Sequence, residues 1–162
     1  MITFPIEIEI ERGGSPDLFF DALVLSRRGE WIKWSGESLN HLVVSERQSP
    51  ELLGYKAKFM SLNLNNQELS AREIATDISR PRTNSTLTEA LAFFNHCFRM
   101  GNEVDDLVNY LHLHKKGIIC PGSQLSDGGI PSIHFRGKKF VIQWCQPELT
   151  VGLQYFEVII KK

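Results

Sequence analysis

Apolar and polar side chains alternate at the start of the chain, with Ile2, Phe4, Ile6, Ile8 and Ile10 set against Thr3, Pro5, Glu7, Glu9 and Glu11. Strand side chains point to opposite faces in turn, so this period of two predicts a strand with one oily and one acidic face. Pro5 has no amide hydrogen for a ladder, which favours an edge position or the strand's first turn. Gly13-Gly14 ends the segment. A similar pattern closes the chain, where Gly152 to Lys161 predicts a terminal strand with Phe156, Val158 and Ile160 on one face. Ile133 to Arg136 and Lys139 to Cys145 predict a hairpin around Gly137. Leu53 to Leu64 reads as extended chain, and Trp31 to Ser35 as a strand.

Helical spacing dominates the middle. Thr86-Leu87-Thr88-Glu89 is a capping box, and Leu87, Leu91, Phe94 and Phe98 recur on one face of a helix over about 86–100 that Gly101 stops. Asn102 can cap a second helix over about 103–115, with an apolar stripe of Val104, Leu107, Val108 and Leu111 and a stop at Gly117. Ser70-Ala71-Arg72-Glu73 is another capping box and predicts a short helix through about Ile78, followed by a loop over 79–85. Ser38 to Glu46 has room for one or two helical turns.

Residues 15–29 carry conflicting signals. Ser15-Pro16-Asp17 is helix-start chemistry and Gly29 is a helix stop, yet Phe19 to Leu25 is almost continuously apolar, and Arg28-Gly29 suits a hairpin turn. The balance leans slightly to helix. The segment 117–131, rich in Gly, Pro and Ser, has no clear period and reads as a turn-rich surface loop. Loops of this length in a small domain often carry function. The expected fold is therefore α+β: a mostly antiparallel sheet formed by the N- and C-terminal strands, packed against two consecutive central helices. No linker divides residues 1–162, so a single domain is expected.

Composition agrees with an ordinary globular chain, at 42% hydrophobic and 23% charged over 162 residues. A net charge of −1 gives no signal for nucleic acid or an anionic membrane, which call for a basic excess. The doublets Arg27-Arg28, Lys115-Lys116, Lys138-Lys139 and Lys161-Lys162 are scattered and read as solvated turns and ends. No stretch reaches the roughly 18 to 20 apolar residues of a membrane span. The start lacks signal-peptide character. Three cysteines without repeated spacing argue against a disulfide framework. A cytoplasmic location without disulfides is expected.

Chemistry-bearing residues are few. Cys120 lies near His112, His114 and His134 in sequence terms, and a catalytic thiol needs a base beside it, with Asp127 as a carboxylate to orient that base. Against this, His112 and His114 diverge by about 200° on a helix, and a cysteine is ordinarily a small buried hydrophobe. No zinc-type ligand pairs, phosphate loop or nucleophile elbow occurs, so no metal or cofactor is expected. Asp105 and Asp106, with Glu103, are explained by the helix dipole. Glu7, Glu9 and Glu11 offer either a solvated strand face or a negative surface for a basic partner. Trp31 and Trp34 fall on opposite faces of a strand, so one of them could be a binding anchor.

Two functions follow. The favoured one is a non-enzymatic interaction or regulatory module that binds a protein partner or itself, through an exposed patch drawn from Phe4, Phe19, Phe20, Trp31 and Trp34. The alternative is a small enzyme or ligand binder that uses Cys120 and the nearby histidines in the 117–131 loop.

Overall fold

The computed structural model describes residues 3–11, 15–26, 29–34, 36–46, 54–61, 69–76, 85–100, 117–137, 139–148, 150–151 and 155–161. The expected helix over 103–115, with His112 and His114, lies outside the described residues, as do the side chains of Glu7, Glu9, Glu11 and Phe4.

Eleven strands and four helices make up the described chain. In order they are β1 (Thr3–Glu11), α1 (Pro16–Ser26), β2 (Glu30–Lys33), α2 (Leu39–Leu42), β3 (Val43–Glu46), β4 (Gly54–Ser61), β5 (Leu69–Ser70) and α3 (Ala71–Thr76). Then follow α4 (Leu87–Met100), β6 (Gly117–Ile119), β7 (Ser123–Leu125), β8 (Ile130–Arg136), β9 (Lys139–Cys145), β10 (Thr150–Val151) and β11 (Tyr155–Lys161). Seven strands form the main sheet in the order β1-β4-β11-β6-β8-β9-β2, while β5–β10 and β3–β7 are separate two-stranded ribbons. Within the main sheet only β11–β6 and β2–β9 run parallel. The fold is α+β with a mixed, mostly antiparallel sheet, and the two terminal strands both belong to it.

Register decides what each face carries. Ile118, Ile133 and Ile142 lie opposite one another across β6, β8 and β9, and Trp31, Phe140 and Phe135 form the next row. Both rows point to the face covered by α1 and α4, where they join Phe20, Leu23, Leu87, Leu91, Phe94 and Phe98. Trp31 stacks on Phe140 at 4.5 Å and meets Phe94 and Phe98 edge-on, so the tryptophan belongs to a closely packed aromatic core. The alternate positions Ile119, Ile130 and Cys145 face the other way and pack with Ala71 and Ile74 of α3.

Local chemistry explains the element boundaries. Ser15 accepts the Leu18 amide at the start of α1. Both capping boxes form as expected. Ser70 and Glu73 exchange bonds at α3, and Thr86 and Glu89 at α4. The β8–β9 hairpin turns at Gly137, whose φ of 63° is the left-handed conformation a two-residue loop demands. Within residues 15–29 the helix Pro16–Ser26 forms, as the balance of signals leaned. At φ 144°, Gly29 lies so close to the core that a Cβ would meet the Phe140 ring at 2.8 Å.

The 117–131 segment differs from the expectation of a surface loop. Residues 117–123 are buried, and the segment holds β6, β7 and the start of β8. Its turns close against the start of α4: the Gly122 amide donates to the Ser85 carbonyl at 2.7 Å, and Ser123 Oγ accepts the Leu87 amide at 2.7 Å. Strands of three residues are too short to display a period; only the turn at 126–128, with Ser126 and Asp127 exposed and Gly128 at φ 85°, meets the expectation of a surface turn.

Candidate interaction surface

The surface is built from α1 outward. At about 100° per residue, Pro16, Phe20 and Leu23 share one side of this helix, and Leu18, Ala22 and Leu25 share the opposite side. The first group is buried in the core. Along the ridge of the outward side Leu18 is 59% and Leu25 80% exposed while Ala22 is half-buried; Val24, about 100° round the helix from Leu25, is 45% exposed. Asp21 is exposed beside the ridge. A surface helix ordinarily turns a polar face to water. α1 turns leucine.

The helix is held firmly enough to present that ridge. The Asp17 carboxylate accepts from Ser38 Oγ, from the Leu39 amide at 2.8 Å and from the Asn40 amide at 3.3 Å, while Asn40 Oδ1 accepts the Asp17 amide at 3.2 Å. The first turns of α1 and α2 thus cap each other, and Ser38 itself makes no side-chain cap. Burial raises the Asp17 pKa, but those hydrogen bonds, with the Lys33 charge, outweigh it and leave the carboxyl below its ordinary 3.8. Lys33 Nζ also sits 5.5 Å over the Phe20 ring.

Trp31, an anchor candidate in the sequence, is buried in the aromatic core. So is Phe20, while Phe19 is half-buried and packs on the same core. Trp34 is half-buried just past β2 and leans on Trp144, ring centroids 5.0 Å apart. Trp144 is 37% exposed and forms a smaller aromatic outcrop at the β9 edge of the core. The backbone of Glu7, Glu9 and Glu11 pairs with Lys58, Lys56 and Gly54 of β4.

Of the thiol candidates, Cys120, His134 and Asp127 are described and do not come together, while His112 and His114 lie outside the described residues. Cys120 is buried with the α4-side core, whereas His134 lies on the opposite sheet face, two residues along the strand from Ser132, to which its Nε2 is hydrogen-bonded at 2.9 Å. The sheet therefore stands between the thiol and this imidazole. Burial, with a smaller contribution from Arg136, lowers the His134 pKa from 6.5. Asp127 accepts the Gly129 amide at 2.8 Å and closes its own turn. Among the described residues no three His, Cys, Asp or Glu side chains gather as metal ligands would. No described helix is long and apolar enough to cross a membrane.

The α1 ridge and Trp144 were both missed in the sequence. Phe19 to Leu25 blurred the helical period because both sides of the helix are apolar, and that continuity was itself the available signal. Trp144 follows Phe140 and Ile142 at strand spacing, which points to the core side, yet it is 37% exposed. No protein-family model, curated protein or solved structure matches this chain.

Proposed function

We propose that this chain is a protein-interaction module whose docking surface is the outward ridge of α1. The observation that carries the reading is the exposure of Leu18 and Leu25 on a helix whose other face is already in the core. Scattered surface leucines are ordinary. Two on one side of a helix, with the exposed Val24 farther round across Asp21, form the kind of apolar patch that marks a binding site. Covering them removes apolar area from water, a gain of up to about 1.5–3 kcal/mol for each fully buried leucine. The buried Cys120 and its separation from His134 weigh on the same side, because a nucleophile needs access to substrate.

A photo-crosslinking amino acid placed at Leu25 tests the reading in living cells, with the exposed Glu37 as control. A discrete crosslinked band from position 25 and none from position 37 is expected. Absence of any band from position 25, in protein expressed and folded normally, would refute the docking surface.

A further inference from the structure

The chemistry of the occupant follows from what stands in the middle of the exposed apolar patch, and it rests on the reading of α1 as a docking surface. Asp21 is exposed, about 60° round the helix from both Leu18 and Val24 and about 40° from Leu25. Each of the three is three or four residues away, the spacing at which helix side chains are neighbours. The carboxylate is therefore flanked by exposed apolar groups on both sides. No described residue forms a hydrogen bond or ion pair with it. α1 itself contains no lysine or arginine, and its other acid, Asp17, is committed to the start of α2. We infer that the partner is a segment of another protein that sets an arginine, flanked by its own apolar side chains, onto Asp21.

Covering Leu18, Val24 and Leu25 takes Asp21 out of water with them. A wholly apolar partner, or the hydrocarbon of a lipid layer, would leave that carboxylate desolvated with no counter-charge, which is strongly unfavourable. An acidic surface, or a second α1, would meet it with like charge. A cation at the centre of the contact reverses the balance: it pairs with the carboxylate while its apolar neighbours cover the leucines and the valine. Arginine suits the position better than lysine, because a guanidinium is more weakly hydrated and engages a carboxylate through two parallel hydrogen bonds. One charged contact inside an apolar patch also selects among partners, since a segment that lacks the cation is penalised rather than merely less well held.

The test uses the full chain in cells with the photo-crosslinking amino acid at Leu25, and the attachment site on the captured protein is mapped by mass spectrometry. It should fall within a few residues of an arginine that has apolar neighbours. Asp21→Lys should lower the crosslink yield at least about tenfold, and Asp21→Glu should hold it within about twofold of wild type. Both variants should keep the wild-type circular dichroism spectrum and melting temperature, because position 21 faces solvent. Replacing the mapped arginine by aspartate should abolish capture by the wild-type chain and restore it with Asp21→Lys. A synthetic peptide of the mapped segment should bind the purified chain more weakly as salt is raised. Undiminished capture by Asp21→Lys, attachment to a segment without a basic residue, or attachment to a second copy of this chain would overturn the inference and leave the docking surface standing. No capture at all from position 25 removes the surface and the inference together.

Discussion

At the scale of single residues, burial decides what a given motif is worth. The same four-residue capping box opens α3 and α4. Ser70 is half-buried and its Glu73 exposed, whereas Thr86 and Glu89 are buried beneath the 120–123 turn. Removing the hydroxyl at α4 leaves the Glu89 amide without its acceptor in a dry site, and an unsatisfied buried donor costs about 1–3 kcal/mol. Urea denaturation should therefore show Thr86→Val destabilising the chain by about that amount, with Ser70→Ala costing clearly less. An equal cost at the two sites would mean that the α4 cap is wet. Titration follows the same logic. His134 is held neutral by burial, so the folded state binds fewer protons than the unfolded state below 6.5. Stability is full above that value and declines as pH falls past it. Asp17, depressed below 3.8, adds a second loss in the same direction, in the window below its ordinary value. The denaturation midpoint should fall with pH through the histidine window, and His134→Gln should flatten that limb. A midpoint that rises on acidification would reverse the sign and place the imidazole beside a carboxylate.

At the scale of elements, α1 and α4 invert the usual relation between pattern and exposure. α4 carries Thr88, Glu89 and Asn95 and is buried nearly all round from Leu87 to Phe94, while α1 shows leucine to solvent. The capping boxes, the β8–β9 hairpin and the start of α4 were legible because each depends on residues close in sequence. The inversion was not, because it depends on which elements meet: the 120–123 turn that plugs the start of α4 lies more than 30 residues downstream of it. In α1 the two sides should respond oppositely to mutation. Leu23→Ala opens a cavity at a fully buried position and should cost about 2–5 kcal/mol. Leu25→Asp touches only solvent in the isolated chain and should stay within about 0.5 kcal/mol of wild type. A large loss from Leu25→Asp in dilute monomer would show that the ridge belongs to the core.

Across the whole molecule, the sheet acts as a partition. One face carries the aromatic core with Trp31, Phe140 and Cys120, and the other carries His134, Ser132 and the α3 cluster. Cys120 and His134 looked like partners in sequence because a linear chain does not reveal which side of a strand each occupies until the register is known. The three thiols should accordingly react slowly and alike with a colourimetric thiol reagent, in step only after denaturant is added; rapid native labelling of Cys120 alone would reopen thiol chemistry. Among the described residues the exposed large apolar side chains are Leu18, Val24 and Leu25 of α1 and Trp144, and the docking surface proposed above is the outer side of α1. Its role is tested most directly by the native size of the protein in a fresh cell extract, comparing wild type with Leu25→Asp on the same size-exclusion column. The wild-type chain should elute ahead of its monomer position, and Leu25→Asp should move to that position with an unchanged melting temperature. Identical elution of the two would contradict the account.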